Sequence, residues 1–271
     1  MSASSPDQNL LRLTNALRDW ANAIPACTKR LSTPPPAAAY WAREMPLGHA
    51  TGTAGLQGCI RNAALLSKHQ LSERKLRPLA PTGADRVETE LGTADAVFTF
   101  AGPLRYPGVC GLLFAPSVET TAPAARATPF DSGGLVSQFF PHEAPEYRRD
   151  FLARHQLPVP GYRSYLELVL VTLFAEPARY LDGGPDHRGP IGLSGGDARR
   201  WTFEVAFPSE LSIQSRLLAA FVPFAVATTT WASPWIEQMA ADGVTLRFYR
   251  ADPPEGRRLL DESIAFLRAH L

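Results

Sequence analysis

Residues Ser164 to Leu181 read SYLELVLVTLFAEPARYL, a run that is apolar at nearly every position and that closes on Asp182-Gly183-Gly184. That pattern predicts a helix buried on most of its sides, stopped by glycine. Such a helix needs a core around it. With 271 residues and 45% hydrophobic content the chain can bury one large core or two small ones, and a single α/β domain is expected. No apolar run reaches the roughly 18 residues of a membrane span, and MSASSPDQNLL lacks the basic and apolar regions of a secretory leader. A soluble, cytoplasmic protein is therefore expected.

Charge excludes a second class. Lys and Arg total 27 against 26 Asp and Glu, so no overall field pulls the chain to nucleic acid or to an anionic membrane. Contact with nucleic acid needs a local patch, for which Arg105, Arg126, Arg199 and Arg200 are available. Cys27, Cys59 and Cys110 lie far apart without CxxC spacing, and the histidines show neither HExxH nor HxH. Reduced cysteines and no metal site are expected.

The periodicities sketch the remaining elements. Residues 8–23 put Leu10, Leu11, Leu13, Leu17, Trp20 and Ala21 near one face of an amphipathic helix. Pro34, Pro35 and Pro36 then predict a linker or surface arm, since consecutive prolines cannot be helical. A strand over 46–50 leads by a turn into a helix over 54–67, with Leu56, Ile60, Ala64 and Leu65 inward. AVFTFAG and GVCGLLFAP read as neighbouring core strands split by Gly102-Pro103 and Pro107-Gly108. Residues 117–160 form an ordered insertion with a helix near its end. RRWTFEVAF alternates as a strand, with Glu204 on the face opposite Trp201, Phe203, Val205 and Phe207. LLAAFVPFAVA and VTLRFYRA are further strands, and DESIAFLRAHL is a closing helix capped by Asp261.

The chemistry concentrates in three patches. In GHATGTAGLQGCIRNAALLSKHQL, His49 and Thr51 leave a strand end on the same side, and a small-residue turn precedes the helix. This resembles the first strand and helix of ADP-ribosyltransferases, with His49, Thr51, Gly55, Leu56 and Ile60 at the motif's positions. The resemblance implies that NAD is the cofactor and substrate, that His49 bonds its adenosine-side ribose, and that Thr51 faces the same ligand. VFTFAGPLRYPG looks like the following strand and loop of DarT-type members, with Phe100, Arg105 and Tyr106 at the comparable places. An aromatic ring there stacks on nicotinamide, and an arginine pairs with pyrophosphate or a nucleic-acid acceptor. RRWTFEVAF resembles the catalytic strand, and Glu204 is the implied catalytic residue. Breaking the N-glycosidic bond builds positive charge on the ribose, which a fixed carboxylate stabilises more in the transition state than in the ground state.

One departure narrows the branch. Arginine-modifying members carry Glu or Gln two residues before the catalytic Glu, where this chain has Thr202. His49, the aromatics and Glu204 suit instead the His-aromatic-Glu branch of DarT-like, diphtheria-toxin-like and RNA 2′-phosphotransferase members. The resemblance implies an α/β (α+β) fold, a split β-sandwich of small, mostly antiparallel sheets with flanking helices and NAD in the cleft. Residues 1–44 would be an N-terminal helix and Pro-rich arm, and 45–271 the ADP-ribosyltransferase-like domain. It also implies a bacterial toxin or phage-defence effector, acting on DNA, RNA or protein and held by an antitoxin.

Other readings of the same residues stand beside this one. GPIGLSGGD, 189–197, fits either a mobile recognition loop or an ordinary connection. Pro129, Phe130, Asp131 and Ser132 form either a capped turn near the pocket or a helix start with Asp131 or Ser132 as N-cap. A hydrolase using Ser194 or Ser132 lacks a GxSxG elbow, and GLSGGD lacks phosphate-loop spacing. The non-enzymatic alternative is a binding or immunity module on the same fold without catalysis.

Overall fold

The computed structural model describes residues 5–76, 83–193, 198–214, 216–251 and 255–271. Helix α1 (Pro6–Asn22) starts at a capping box, in which Gln8 N–H donates to Ser5 Oγ at 3.3 Å and Ser5 N–H to Gln8 Oε1 at 3.0 Å. Leu13, Leu17 and Ala21 are buried as its period requires, whereas Leu11 is exposed. The prolines expected to form an arm instead join two helices, α2 (Pro25–Ser32) and α3 (Pro36–Glu44), with Pro36 opening α3, where a missing N–H costs no helical bond.

β1 (Leu47–Thr51) leads into α4 (Thr53–Asn62), which ends earlier than its apolar pattern suggests. Ala63 turns left-handed at φ 53°, so Ala64 and Leu65 leave the helix and form β2 (Ala64–Leu66). Then come α5 (Lys68–Glu73), α6 (Gly83–Leu91), β3 (Ala96–Ala101) and β4 (Cys110–Phe114). The insertion holds β5 (Arg126–Thr128), a π-helical turn at Leu135–Phe139, α7 (Pro145–His155) and β6 (Leu157–Pro158).

The buried run divides into α8 (Tyr162–Leu173) and α9 (Arg179–Asp182), because Pro177 cannot continue a helix, and Gly183 closes α9 at φ 68°. β7 (Glu204–Pro208) is shorter than the expected strand, since Ala198–Arg200 is a 3₁₀ turn and Trp201 N–H bonds back to Ala198 O. β8 (Glu210–Ser212), β9 (Leu217–Pro223), α10 (Phe224–Ala227), α11 (Ser233–Ala241) and β10 (Thr245–Tyr249) follow. The final helix, α12 (Glu255–His270), begins before Asp261, which therefore lies inside it instead of capping it.

The fold is mixed α/β, in two compact units. One comprises Met1–Glu44, Ala80–Ala94 and Ala122–Ala206; the other Met45–Leu79, Asp95–Thr121 and Phe207–Leu271. In the first, α1, α2 and α3 pack on α8, and β5 pairs antiparallel with β6 and β7. The N-terminal helices also satisfy carbonyls that helix ends leave open. Asn9 Nδ2 donates to Ala153 O and Gln156 O at 2.8 and 2.9 Å, at the end of α7. Arg30 donates to Val171 O and Thr172 O at 2.8 and 2.9 Å, and Cys27 Sγ to Thr172 O at 3.2 Å, at the end of α8.

In the second unit the strand order is β10-β9-β4-β1-β3, with β10 parallel to β9 and the other pairs antiparallel; β2 pairs with β8. β3 and β4, expected to be neighbours, are separated by β1, which pairs antiparallel with both. Their connection crosses the end of β1, where Val109 N–H donates to Thr51 O at 3.0 Å. Among the described residues, no helix is long and apolar enough to cross a membrane.

Candidate active site

Glu204 is the first residue of β7 and pairs with Thr128 of β5, so the two side chains share a face. An unpaired buried carboxylate is costly, so a Glu alternating with large apolar residues is expected on a face open to solvent or ligand, yet Glu204 is only 4% exposed. The chain after β5 closes over it. Phe130 is buried with Leu135, Phe139 and Phe151, Thr128 Oγ1 donates to Phe130 O at 2.9 Å, and Asp131 N–H donates to Arg199 O at 2.9 Å. The turn so pinned aims Ser132 N–H at Glu204 Oε2, 3.2 Å away. Asp131 and the Ser132 side chain also hydrogen-bond Glu204.

Burial, and then the Asp131 carboxylate, push Glu204 well above the usual carboxylate range, against the opposing pull of Ser132. Glu204 therefore keeps its proton above the pH at which an ordinary carboxyl loses it. Asp131 is 6% exposed; its Oδ1 accepts from Gly133 N–H at 2.9 Å, and Arg199 Nε stands 4.0 Å from its Oδ2. The capped-turn reading of Pro129 to Ser132 describes this segment, since Asp131 caps the turn ahead of the π-helical stretch. Its approach to Glu204 had no signal in the local sequence, because the two lie on different strands' ends.

His49 and Thr51 are brought together in the second unit. They line a cavity of about 470 Å³ with Gln57, Cys59, Arg61 and Asn62 of α4. His49 Nδ1 lies 2.8 Å from Phe98 O; a carbonyl only accepts, so Nδ1 carries the proton. Burial lowers the His49 pKa, the Phe98 bond opposing it, so the ring is neutral and its Nε2 is an acceptor. Thr51 packs against the first turn of α4, where residue 55 carries no side chain to displace it. Leu56 is fully buried beneath that turn, and Ile60 is half-buried. Burial pushes the Cys59 and Cys110 thiols up to about 12, so neither is a nucleophile at neutral pH.

Phe100 and Tyr106 do not join that cavity. Gly48 pairs with both Phe100 and Leu113, and paired residues share a face, so Phe100 lies opposite His49. That face belongs to α12: Leu104, which crowds Gly48, donates its N–H to Ser263 Oγ at 3.0 Å. The two aromatic rings stack on each other, centroids 3.9 Å apart and 22° from parallel. Arg105, between them in sequence, is half-buried. Residues 194–197, including Ser194 and the end of the glycine-rich loop, lie outside the described residues. Among the described residues no group of three or more His, Cys, Asp or Glu converges as a metal site.

Solved structures similar to this chain in path include three of one protein. DarT of Thermus sp. 2.9 in complex with ADP-ribosylated ssDNA gives a TM-score of 0.42 at 8% identity, covering 76% of this chain and 94% of that one. The same protein in complex with NAD+ gives 0.40 at 10%, covering 76% and 96%. Its complex with carba-NAD+ gives 0.38 at 11%, covering 76% and 95%. No protein-family model matches the chain, and no curated protein matches it in sequence. At such identities no residue role passes from those proteins to this chain.

Proposed function

We propose that this chain is an NAD-dependent ADP-ribosyltransferase, which breaks the N-glycosidic bond of NAD, releases nicotinamide and passes ADP-ribose to a macromolecular acceptor. The observation that carries the reading is Glu204, an acid held in the interior at the start of β7 beside a second carboxylate. Such a pair costs stability, and perturbed acids of this kind concentrate where chemistry uses them. Glu204 is the catalytic residue: its carboxylate faces the positive charge that develops on the ribose as nicotinamide leaves.

His49 and Thr51 hold NAD. The neutral His49 ring offers Nε2 to a ribose hydroxyl, and the Thr51 hydroxyl lies on the same cavity, whose 470 Å³ falls in the range of roughly 300–1,000 Å³ typical of ligand sites. Phe100 and Tyr106, stacked on each other, brace the loop that carries Arg105, and Arg105 pairs with phosphate of the cofactor or acceptor. The biological role is that of a bacterial toxin or phage-defence effector working in the cytoplasm, with DNA, RNA or protein as acceptor and an antitoxin as its restraint.

The test is nicotinamide release from NAD by the purified protein beside Glu204→Gln, with and without DNA, RNA and cell lysate. Release that vanishes in the variant supports the reading, and the addition that stimulates it names the acceptor class. No release and no NAD binding under any condition would sink it and leave a non-catalytic binding module.

A further inference from the structure

The turn between β5 and the π-helical stretch delivers to Glu204 a second carboxyl group. Two carboxyls in hydrogen-bond contact away from water cannot both ionise, so the pair holds one proton. The donors around them are unequal. Asp131 receives Gly133 N–H at 2.9 Å and has Arg199 Nε at 4.0 Å, both favouring negative charge on Asp131. Glu204 receives the uncharged donors of Ser132, its N–H at a longer 3.2 Å and its hydroxyl, whereas the guanidinium stands on the Asp131 side, and Thr128, which shares the Glu204 face, directs its own hydroxyl to Phe130 O. The proton therefore rests on Glu204. A neutral Glu204 offers little to a ribosyl cation.

We propose that Asp131 is the positioning residue of the reaction, accepting the Glu204 proton as the ribosyl cation forms and so giving Glu204 its negative charge when it is needed. This rests on the transferase reading above. The proton moves from the Glu204 carboxyl to Asp131. The bond between C1′ and the nicotinamide nitrogen breaks, and its electron pair leaves with nicotinamide, neutralising the pyridinium. The Glu204 carboxylate faces the resulting cation. An acceptor lone pair then forms the new bond to C1′, and the acceptor's proton goes to Glu204; one proton leaves to solvent, and the pair returns to its starting state. Charge is supplied by a shift along one hydrogen bond, without water entering an interior site.

Asp131→Asn separates this role from a structural one. Asparagine keeps the oxygen that accepts from Gly133, and so keeps the turn, but it cannot take the proton. The expected result is a fall in kcat for nicotinamide release on the order of 100-fold, with KM for NAD and thermal midpoint nearly unchanged. An unchanged kcat, or a change confined to KM, would overturn the proposal. Infrared spectra at neutral pH read the pair without turnover: the wild type should show a protonated carboxyl carbonyl band that Glu204→Gln lacks. A wild type without that band overturns the shared proton even if nicotinamide is released, whereas a wild type with the band but with neither NAD binding nor release overturns the transferase reading and the proton's use with it.

Discussion

The hydroxyl oxygen of Thr51 stands 2.0 Å from the point that a β-carbon on Gly55 would occupy, and Gly108 approaches the same residue from the other side. A β-carbon on Gly108 would lie 2.8 Å from Thr51 N and 2.9 Å from Thr51 O. Both glycines let chain close on the end of β1, but one faces a rotatable hydroxyl and the other faces backbone. Their substitutions should behave differently.

Gly55→Ala should leave stability unchanged or raise it, because alanine in an exposed helical turn is favoured over glycine by roughly 0.5–1 kcal/mol. The Thr51 hydroxyl must rotate away, so NAD affinity should fall, on the order of tenfold for one lost hydrogen bond. Calorimetric titration and thermal denaturation of the variant check both halves. Unaltered affinity would remove Thr51 from the proposed cofactor site.

Gly108→Ala should destabilise the protein by about 1–3 kcal/mol, the usual cost of forcing chain apart in a packed region. The bond from Val109 N–H to Thr51 O, 3.0 Å long, is the contact most directly opened. A urea midpoint equal to that of the wild type would contradict this.

Glu204→Gln should be more stable than the wild type, and increasingly so as pH rises. The folded protein keeps Glu204 protonated above its ordinary 4.5, whereas the unfolded chain releases the proton there. Stability is thereby lost as pH rises through that window, and glutamine, which does not titrate, escapes the loss. Melting curves of both proteins between mildly acid and mildly alkaline pH should diverge; parallel curves would mean that Glu204 ionises freely.

His155 gives the opposite slope. Burial, chiefly, lowers it from 6.5 to about 4, with its Nδ1 2.7 Å from Phe151 O and its ring stacked on Phe151 at 4.2 Å. Below pH 6.5 the unfolded chain takes a proton that the folded one refuses until about pH 4, so stability falls as pH falls. The full difference is about 3 kcal/mol. Denaturant titrations at several pH values, wild type beside His155→Phe, should show the gap closing toward acid; a constant gap would rule the effect out.

What the sequence made legible follows from how locally each feature is encoded. The amphipathic period of the first helix, the glycine stop after Asp182 and the alternation in 96–101 are short-range signals, and all appear in the fold. The end of α4 was not legible, because an alanine at φ 53° carries no mark in the sequence. Nor was the place of β1 between β3 and β4, because short apolar strands with a turn between them look like a hairpin whether or not a third strand intervenes. The same limit applied at the site. His49 and Thr51 share a strand face and were found together, whereas Phe100 was placed with them by the resemblance of its strand and loop, and pairing with Gly48 puts it on the other side. The Asp131-Ser132 turn meets Glu204 across a separation of 72 residues from Ser132, which only tertiary structure brings together.

The bonds from Asn9, Cys27 and Arg30 to the ends of α7 and α8 bear on any attempt to shorten this protein. A version started at Met45 would be trimmed at what looks like a convenient boundary, yet it would strand the carbonyls of Ala153, Gln156, Val171 and Thr172 and uncover the apolar side of α8. The expected product is an aggregate in inclusion bodies, and material for crystallisation or for activity assays is better obtained with these first helices retained.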